Sequence, residues 1–211
     1  MKKIITVLAL AGVMLPAAAQ AQDAYDDVDG DYVSSAEDKA GLRVEGRLFY
    51  ERIGDPEDTV IYELGDAVGF GGEIGYDIAV GENIVVGPYA NYDISTIESC
   101  DVDLCVSSDG FWAAGLHIGF TSGDSGLLYG KLGYSQQSLT VEGEFFDELS
   151  GQTIILDENE KGGGYNFAFG YEQGFGSTAY GRLEVSISEN YDLFTFDFQR
   201  TAIGASIGAR F

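Results

Sequence analysis

Few residues in this sequence are equipped for chemistry, and their spacing limits what they could do. His117 is the sole histidine, set in "FWAAGLHIGF" among apolar residues and glycines. One imidazole cannot build a multi-histidine zinc site. It could serve a Ser–His–acid arrangement, but it reads as a packed residue within a strand rather than one at a rim. Cys100 and Cys105 bracket the acidic stretch "SCDVDLC". In an oxidising compartment a pair this close reads as a disulfide, with two free thiols as the alternative. "DDVDGD" faintly resembles a calcium loop. Asp27, Asp29 and Gly30 fit its third, fifth and sixth positions, but Tyr25 and Ala36 occupy the first and last ligand positions. From these residues we assign no catalytic, cofactor or metal set.

Composition narrows the field further. The 35 acidic residues against 11 basic ones give a net charge of −24. A surface that negative argues against nucleic acid as a partner, because binding phosphate needs basic groups. The start divides into a basic "MKK", an apolar "IITVLALAGVML" and "PAAAQAQD", which holds an Ala19-Gln20-Ala21 cleavage site. Residues 1–21 therefore read as a signal peptide. Its apolar run is shorter than the roughly 20 residues that a spanning helix needs. No second long apolar run follows, so no transmembrane helix is expected. Residues 22–40 are rich in aspartate and lack periodicity, and read as a disordered acidic lead-in.

From Gly41 to Phe211 the chain alternates with period two, the signature of half-buried strands. In "GLRVEGRLFYER", Leu42, Val44, Leu48 and Tyr50 share one face, and Arg43, Glu45, Arg47 and Glu51 the other. In "RTAIGASIGARF", Ile203, Ile207 and Phe211 oppose Arg200, Gly204, Gly208 and Arg210. Eight such segments occur with no helical segment between them. An even number of antiparallel strands can close into a barrel and so remove exposed edges. The connections alternate too. "AVGEN", "TSGDSG" and "QGFGST" are short. The others are longer, including residues 139–163, "LTVEGEFFDELSGQTIILDENEKGG", read here as a loop. Pro88 falls inside a strand, where it removes a ladder hydrogen bond, and a bulge is expected there.

Alternation does not say which face is inside. A soluble barrel would turn the apolar face inward. Here the polar face is crowded with Gly69, Gly71, Gly75, Gly115, Gly119, Gly204, Ser206 and Gly208. Small residues suit the crowded interior of a narrow barrel, and the Leu, Ile, Val, Phe and Tyr face suits lipid. With both termini at the short-turn end, Arg43, Arg47, Lys131, Arg182 and Arg210 collect on the inner face of that half. Glu45, Glu73, Asp77, Glu172 and Glu184 join them, and Arg200 shares the lumen face further along. Five cations against five anions predict an ion-pair network filling the lumen, since buried charges persist only when paired; separate hydration of some of them is the alternative. The remaining acids fall in the long connections: Asp55, Glu57 and Asp58; Asp101 and Asp103; and Glu142, Glu144, Asp147, Glu148, Asp157, Glu158 and Glu160.

The leader, the eight alternating segments, "GGEIGYDIAVGENIVVGPYANYDIS" and the closing "GARF" resemble the small outer-membrane β-barrels of Gram-negative bacteria, the OmpA/OmpX-like and porin-family surface antigens. The resemblance covers about residues 41–211 and is one of pattern more than of any short motif. It implies an all-β, eight-stranded antiparallel up-and-down transmembrane barrel, with loops extracellular and termini periplasmic. It also implies that Phe211 is part of a C-terminal signal for the outer-membrane barrel assembly machinery. The implied role is a non-enzymatic, monomeric surface barrel with acidic loops. Its partners would be outer-membrane lipid, lipopolysaccharide and an extracellular ligand at the loops. The loop acids either share divalent cations with lipid phosphates or simply keep the surface soluble. Two other classes stand beside this reading. One is a narrow porin-like channel or carrier for small molecules. The other is an enzyme acting on lipid A, as some small outer-membrane barrels do with a His, a Ser and an acid near the outer rim.

Overall fold

The computed structural model describes residues 35–54, 63–101, 104–147, 152–194 and 196–211. The expected signal peptide, the calcium-like stretch at Asp27–Gly30, most of the acidic lead-in, and Asp55, Glu57, Asp58, Asp103 and Glu148 lie outside the described residues.

Period-two alternation becomes strand throughout. The strands are β1 (Gly41–Gly54), β2 (Glu63–Ala79), β3 (Ile84–Ser95), β4 (Glu98–Asp101), β5 (Leu104–Ser122), β6 (Gly126–Asp147), β7 (Gln152–Phe175), β8 (Ala179–Leu193) and β9 (Phe196–Arg210). Each neighbouring pair is antiparallel. β1 pairs with β9 from Arg43↔Arg210 to Gly54↔Gln199, and β3 pairs with β5, so eight strands form a closed ring. β4 stands outside it and pairs only with β5. Phe211 extends the closure: its N–H donates to Leu42 O, and Leu42 N–H donates to Phe211 O, both at 2.9 Å.

The ring is inverted relative to a water-soluble barrel. Leu116, Leu132, Leu183 and Ile203 point outward at 60–67% exposure, while Arg43, His117 and Glu172 point inward at 0%. Water does not tolerate so continuous an apolar wall, and an apolar medium tolerates a strand only when its edges are closed. The interior is layered along the axis. Ala36, Val85 and Leu127 pack at the short-turn end. Charged side chains fill the middle, with Tyr89, Phe111 and Ala113 beside them. Ile53, Leu64, Ala67, Ile97, Leu139, Leu193 and Phe198 fill the far end. Gly65, at φ +106°, lets β2 change parity there, so that Leu64 and Ala67 both face inward.

Three expectations are corrected. Residues 139–163 are not a loop. β6 and β7 continue in register from Leu139↔Glu160 to Asp147↔Gln152 as a protruding hairpin. Strand alternation persists along this stretch, and the ladder satisfies backbone groups that a loop would leave to water. Pro88 causes no bulge. Gly75↔Tyr89 and Ile78↔Val86 keep one register on either side of it, and Pro88 itself faces Leu116 on β5. The pairing of Tyr76–Asp77 with Gly87–Pro88 simply lapses. There the Tyr76 carbonyl comes so close to Gly87 that a Cβ would lie 1.7 Å from its oxygen, and glycine absorbs the irregularity without a register shift. Finally, the lead-in is ordered at its end: Glu37–Lys39 forms a 3-10 turn, with Ala36 and Lys39 buried.

Candidate functional site

The barrel wall brings all ten expected lumen residues into one ion-pair network. Alternation puts each of them on the inner face, and strand register sets their heights. Arg182 on β8 is one hub. Its Nε and Nη2 donate to Glu172 Oε2 at 2.9 and 2.7 Å, and its Nη1 donates to Glu45 Oε1 at 2.7 Å. Its guanidinium lies over the Tyr129 ring, 4.4 Å from the centroid. Glu73 on β2 is a second hub, accepting from Arg43 Nη1 at 3.3 Å, Arg47 Nη1 at 2.9 Å and Lys131 Nζ at 2.6 Å. Glu184 accepts from Arg47 Nη2, Lys131 Nζ and the Tyr129 hydroxyl at 2.9, 2.5 and 2.9 Å. Arg210 Nη1 donates to Glu172 Oε1 at 2.8 Å. Asp77 lies 2.6 Å from Arg43 Nε, close but out of line for a hydrogen bond, and 3.4 Å from Arg210 Nη2.

The network extends beyond the ten residues expected from the sequence, to Arg200 and Glu51, which parity places on the lumen face, and to Asp93 and Lys39. Arg200 donates from Nη2 to Asp93 Oδ2 at 3.1 Å and from Nε to Glu51, and stacks over Phe111 and Phe49 at 4.1 and 4.9 Å. Arg47 Nε, 3.7 Å from Asp93, joins this upper group to the lower one. The signal is present in the sequence: Glu51 continues the parity of Arg47, and Asp93 that of Asn91, but both lie outside the half of the barrel nearest the termini, where the charges are densest. Lys39 carried no signal, because it precedes the first strand. Its Nζ donates to Ser125 O at 2.6 Å and to Glu172 Oε1 at 3.3 Å. Burial lowers the pKa of this ammonium, with Glu172 opposing and Arg210 adding to the effect. With these additions the described residues of the network comprise seven cations (Lys39, Arg43, Arg47, Lys131, Arg182, Arg200, Arg210) and seven anions (Glu45, Glu51, Glu73, Asp77, Asp93, Glu172, Glu184).

His117 is enclosed. Its Nδ1 lies 3.1 Å from Asp77 Oδ1, and its ring sits against Tyr129. A catalytic base needs an open side toward substrate, and His117 has none in this conformation. The gap between Arg47, Tyr89, Phe111, Lys131 and Arg200 leaves no room for a water molecule.

Cys100 and Cys105 face each other in the β4–β5 register and are disulfide-bonded. The closed ring is short, so its stabilisation is expected to fall below the ~3 kcal/mol of a 15-residue loop. Thiol titration of the unfolded, unreduced protein should find no free sulfhydryl; two would contradict the bond.

No family model and no curated protein matches the sequence. Solved structures do match. Ail, the attachment invasion locus protein of Yersinia pestis, is 12% identical at a TM-score of 0.50, over 80% of this chain and 99% of that one. Its complex with the heparin analogue sucrose octasulfate gives 13% and 0.52 over the same spans. Neisserial surface protein A gives 12% and 0.52, over 82% of this chain and 98% of that one. The chain has the fold of an eight-stranded outer-membrane barrel. At these identities the likeness is one of fold, and what this barrel does rests on its own residues.

Proposed function

We propose that the protein is a closed, non-enzymatic barrel of the Gram-negative outer membrane with a structural or interaction role, its termini periplasmic and its long hairpin outside. The observation that supports this reading is the lumen: among the described residues a connected network of paired charges fills its middle, with apolar side chains packed at both ends. Eight strands enclose a space just wide enough for side chains. Orientation is argued from the short turns at one end and the β6–β7 hairpin at the other, the arrangement typical of outer-membrane barrels. Phe211, outward-facing on the closing ladder, is proposed as the contact for the assembly machinery.

The exterior suits some ligands and disfavours others. Among the described residues the outward-facing cations are Arg52, held by Asp66 at 2.7 Å, and Lys161. The hairpin presents Glu142, Glu144, Asp157 and Glu158. Sucrose octasulfate is a polyanion, and such a surface would repel it. A cationic ligand, or lipopolysaccharide phosphates bridged through divalent cations, fits the charge.

The test has two parts. An epitope inserted between Asp147 and Gln152 should be labelled on intact cells; labelling only after outer-membrane rupture would reverse the orientation. The purified barrel should show no steady conductance in planar bilayers. Open-pore conductance with solute passage would establish the channel reading in its place.

A further inference from the structure

We infer that residues 35–40 are a releasable strap that closes the periplasmic mouth, with Lys39 acting as the counter-ion that the barrel strands lack. This rests on the closed-barrel reading above, but is carried by a separate set of contacts. The strands alone bring six cations against seven anions into the lumen network. Lys39, which lies on no strand, brings the two counts level, and it does so at Glu172, which also holds Arg182 and Arg210.

The strap crosses the mouth. It leaves β1 at Gly41, and Lys39 Nζ reaches Ser125 O in the β5–β6 turn. In the ring order β1-β2-β3-β5-β6-β7-β8-β9 that turn stands opposite β1. On the way, Ala36 N–H donates to Glu82 O in the β2–β3 turn at 2.8 Å. The Ala36 side chain seats, at 0% exposure, on Val85 and Leu127. Ser35 N–H and Oγ both donate to Asp38 Oδ2, at 3.0 and 2.8 Å, which holds the turn in shape. These contacts lie at the short-turn end of the ring, outside the strand ladders. The strands are locked by continuous ladders; among the described residues the contacts that hold the strap include the Ala36 methyl group, the Ala36–Glu82 backbone hydrogen bond and the Lys39 ammonium, none of them part of a ladder. Terminal segments outside the strand ladders open at a smaller free energy than the ladders themselves. The lowered pKa of Lys39 agrees with this, since burial, with Arg210 and Arg182 nearby, outweighs what Glu172 contributes.

Opening the strap would uncover Leu127 and leave Glu172 with fewer cations, without disturbing the apolar cluster at the far end. The device therefore controls access to the periplasmic half of the lumen rather than passage through it. The test uses the whole mature protein in bilayer nanodiscs with Leu127→Cys as a reporter, the native cysteines being joined to each other. A membrane-impermeant maleimide should label the reporter slowly. Lys39→Ala and Ala36→Asp should each accelerate labelling by about tenfold or more, as expected for loss of a buried charge-assisted contact or of the apolar seat. Lys39→Arg should label at the parent rate. Folding is followed in parallel by heat-modifiable migration on gels; if Ala36→Asp does not fold, Lys39→Ala carries the test. Folded Lys39→Ala labelling at the parent rate would overturn the strap, as would a parent that labels as fast as unfolded protein. Steady conductance by the parent would instead overturn the closed-barrel reading, so the two failures are distinguishable.

Discussion

Replacing Arg182 by alanine should destabilise the barrel by about 3–5 kcal/mol, the range for breaking a buried ion pair from one side. Arg182 is chosen because its loss strands the most neighbours at once. Glu172 and Glu45 each lose a bond of 2.7 Å, and the rings of Tyr129 and Tyr180 lose the cation stacked on them. Both carboxylates stay buried; Glu172 keeps Arg210 and Lys39 and Glu45 keeps Arg43, and water entering the space left by the guanidinium places the cost toward the lower end of that range. Glu158→Ala is the matched control. It also removes a charge, but from an exposed position on the hairpin, where substitutions usually fall within about 0.5 kcal/mol. Urea titration of both variants in lipid bilayers gives the comparison through the shift in midpoint at constant slope. Equal shifts would mean that the lumen charges are hydrated individually, the alternative left open by the sequence. Replacing the whole Arg182–Glu172–Glu45 set with apolar residues would not be neutral either, because Lys39 and Arg210 at Glu172 and Arg43 at Glu45 would lose a buried partner.

Strand parity, and with it most of the lumen, was legible in the sequence because the period-two pattern fixes the inner and outer faces once one face is known to be apolar. That is why Arg43, Glu73, Arg182 and Glu184 could be placed on the inner wall without coordinates. Parity says nothing about distance along the axis, so Arg200, Glu51 and Asp93 were not seen as a group joined to the others through Arg47. Lys39 was illegible for a different reason. Its place depends on a turn that docks against β2–β3 and β5–β6, and tertiary contacts of that kind leave no local period. The β6–β7 hairpin was misread because its acids resemble a solvated loop. Its backbone pairing is set by register carried up from the barrel wall rather than by local composition. The far-end apolar cluster was hidden for a related reason: Leu139 lies within the stretch taken for a loop, and Leu64 reaches the interior only through the parity change at Gly65.

The outer face provides the second large effect. Leu132→Arg should destabilise the protein by about 2–4 kcal/mol in a bilayer, the cost of an arginine near the midplane on the lipid side of an outer-membrane barrel. Leu132 points outward at 63% exposure, with Leu116 and Phe167 opposite it on the two neighbouring strands. Both side chains opposite it are therefore apolar and exposed. Ile155→Arg is the control that separates lipid from water. Ile155 is even more exposed, at 71%, but it stands on the hairpin opposite Glu144. If the hairpin projects into solvent, an arginine there meets a carboxylate and costs almost nothing. Exposure alone would make the two substitutions almost equally mild, since both side chains are more than half exposed. Only an apolar medium around the wall predicts a large penalty at Leu132 and none at Ile155. Refolding both variants into lipid vesicles and comparing urea midpoints with the parent gives the answer. A tolerated arginine at Leu132 would mean that the apolar wall meets something other than lipid, such as a second protein surface or water, and the membrane-spanning assignment would fall with it.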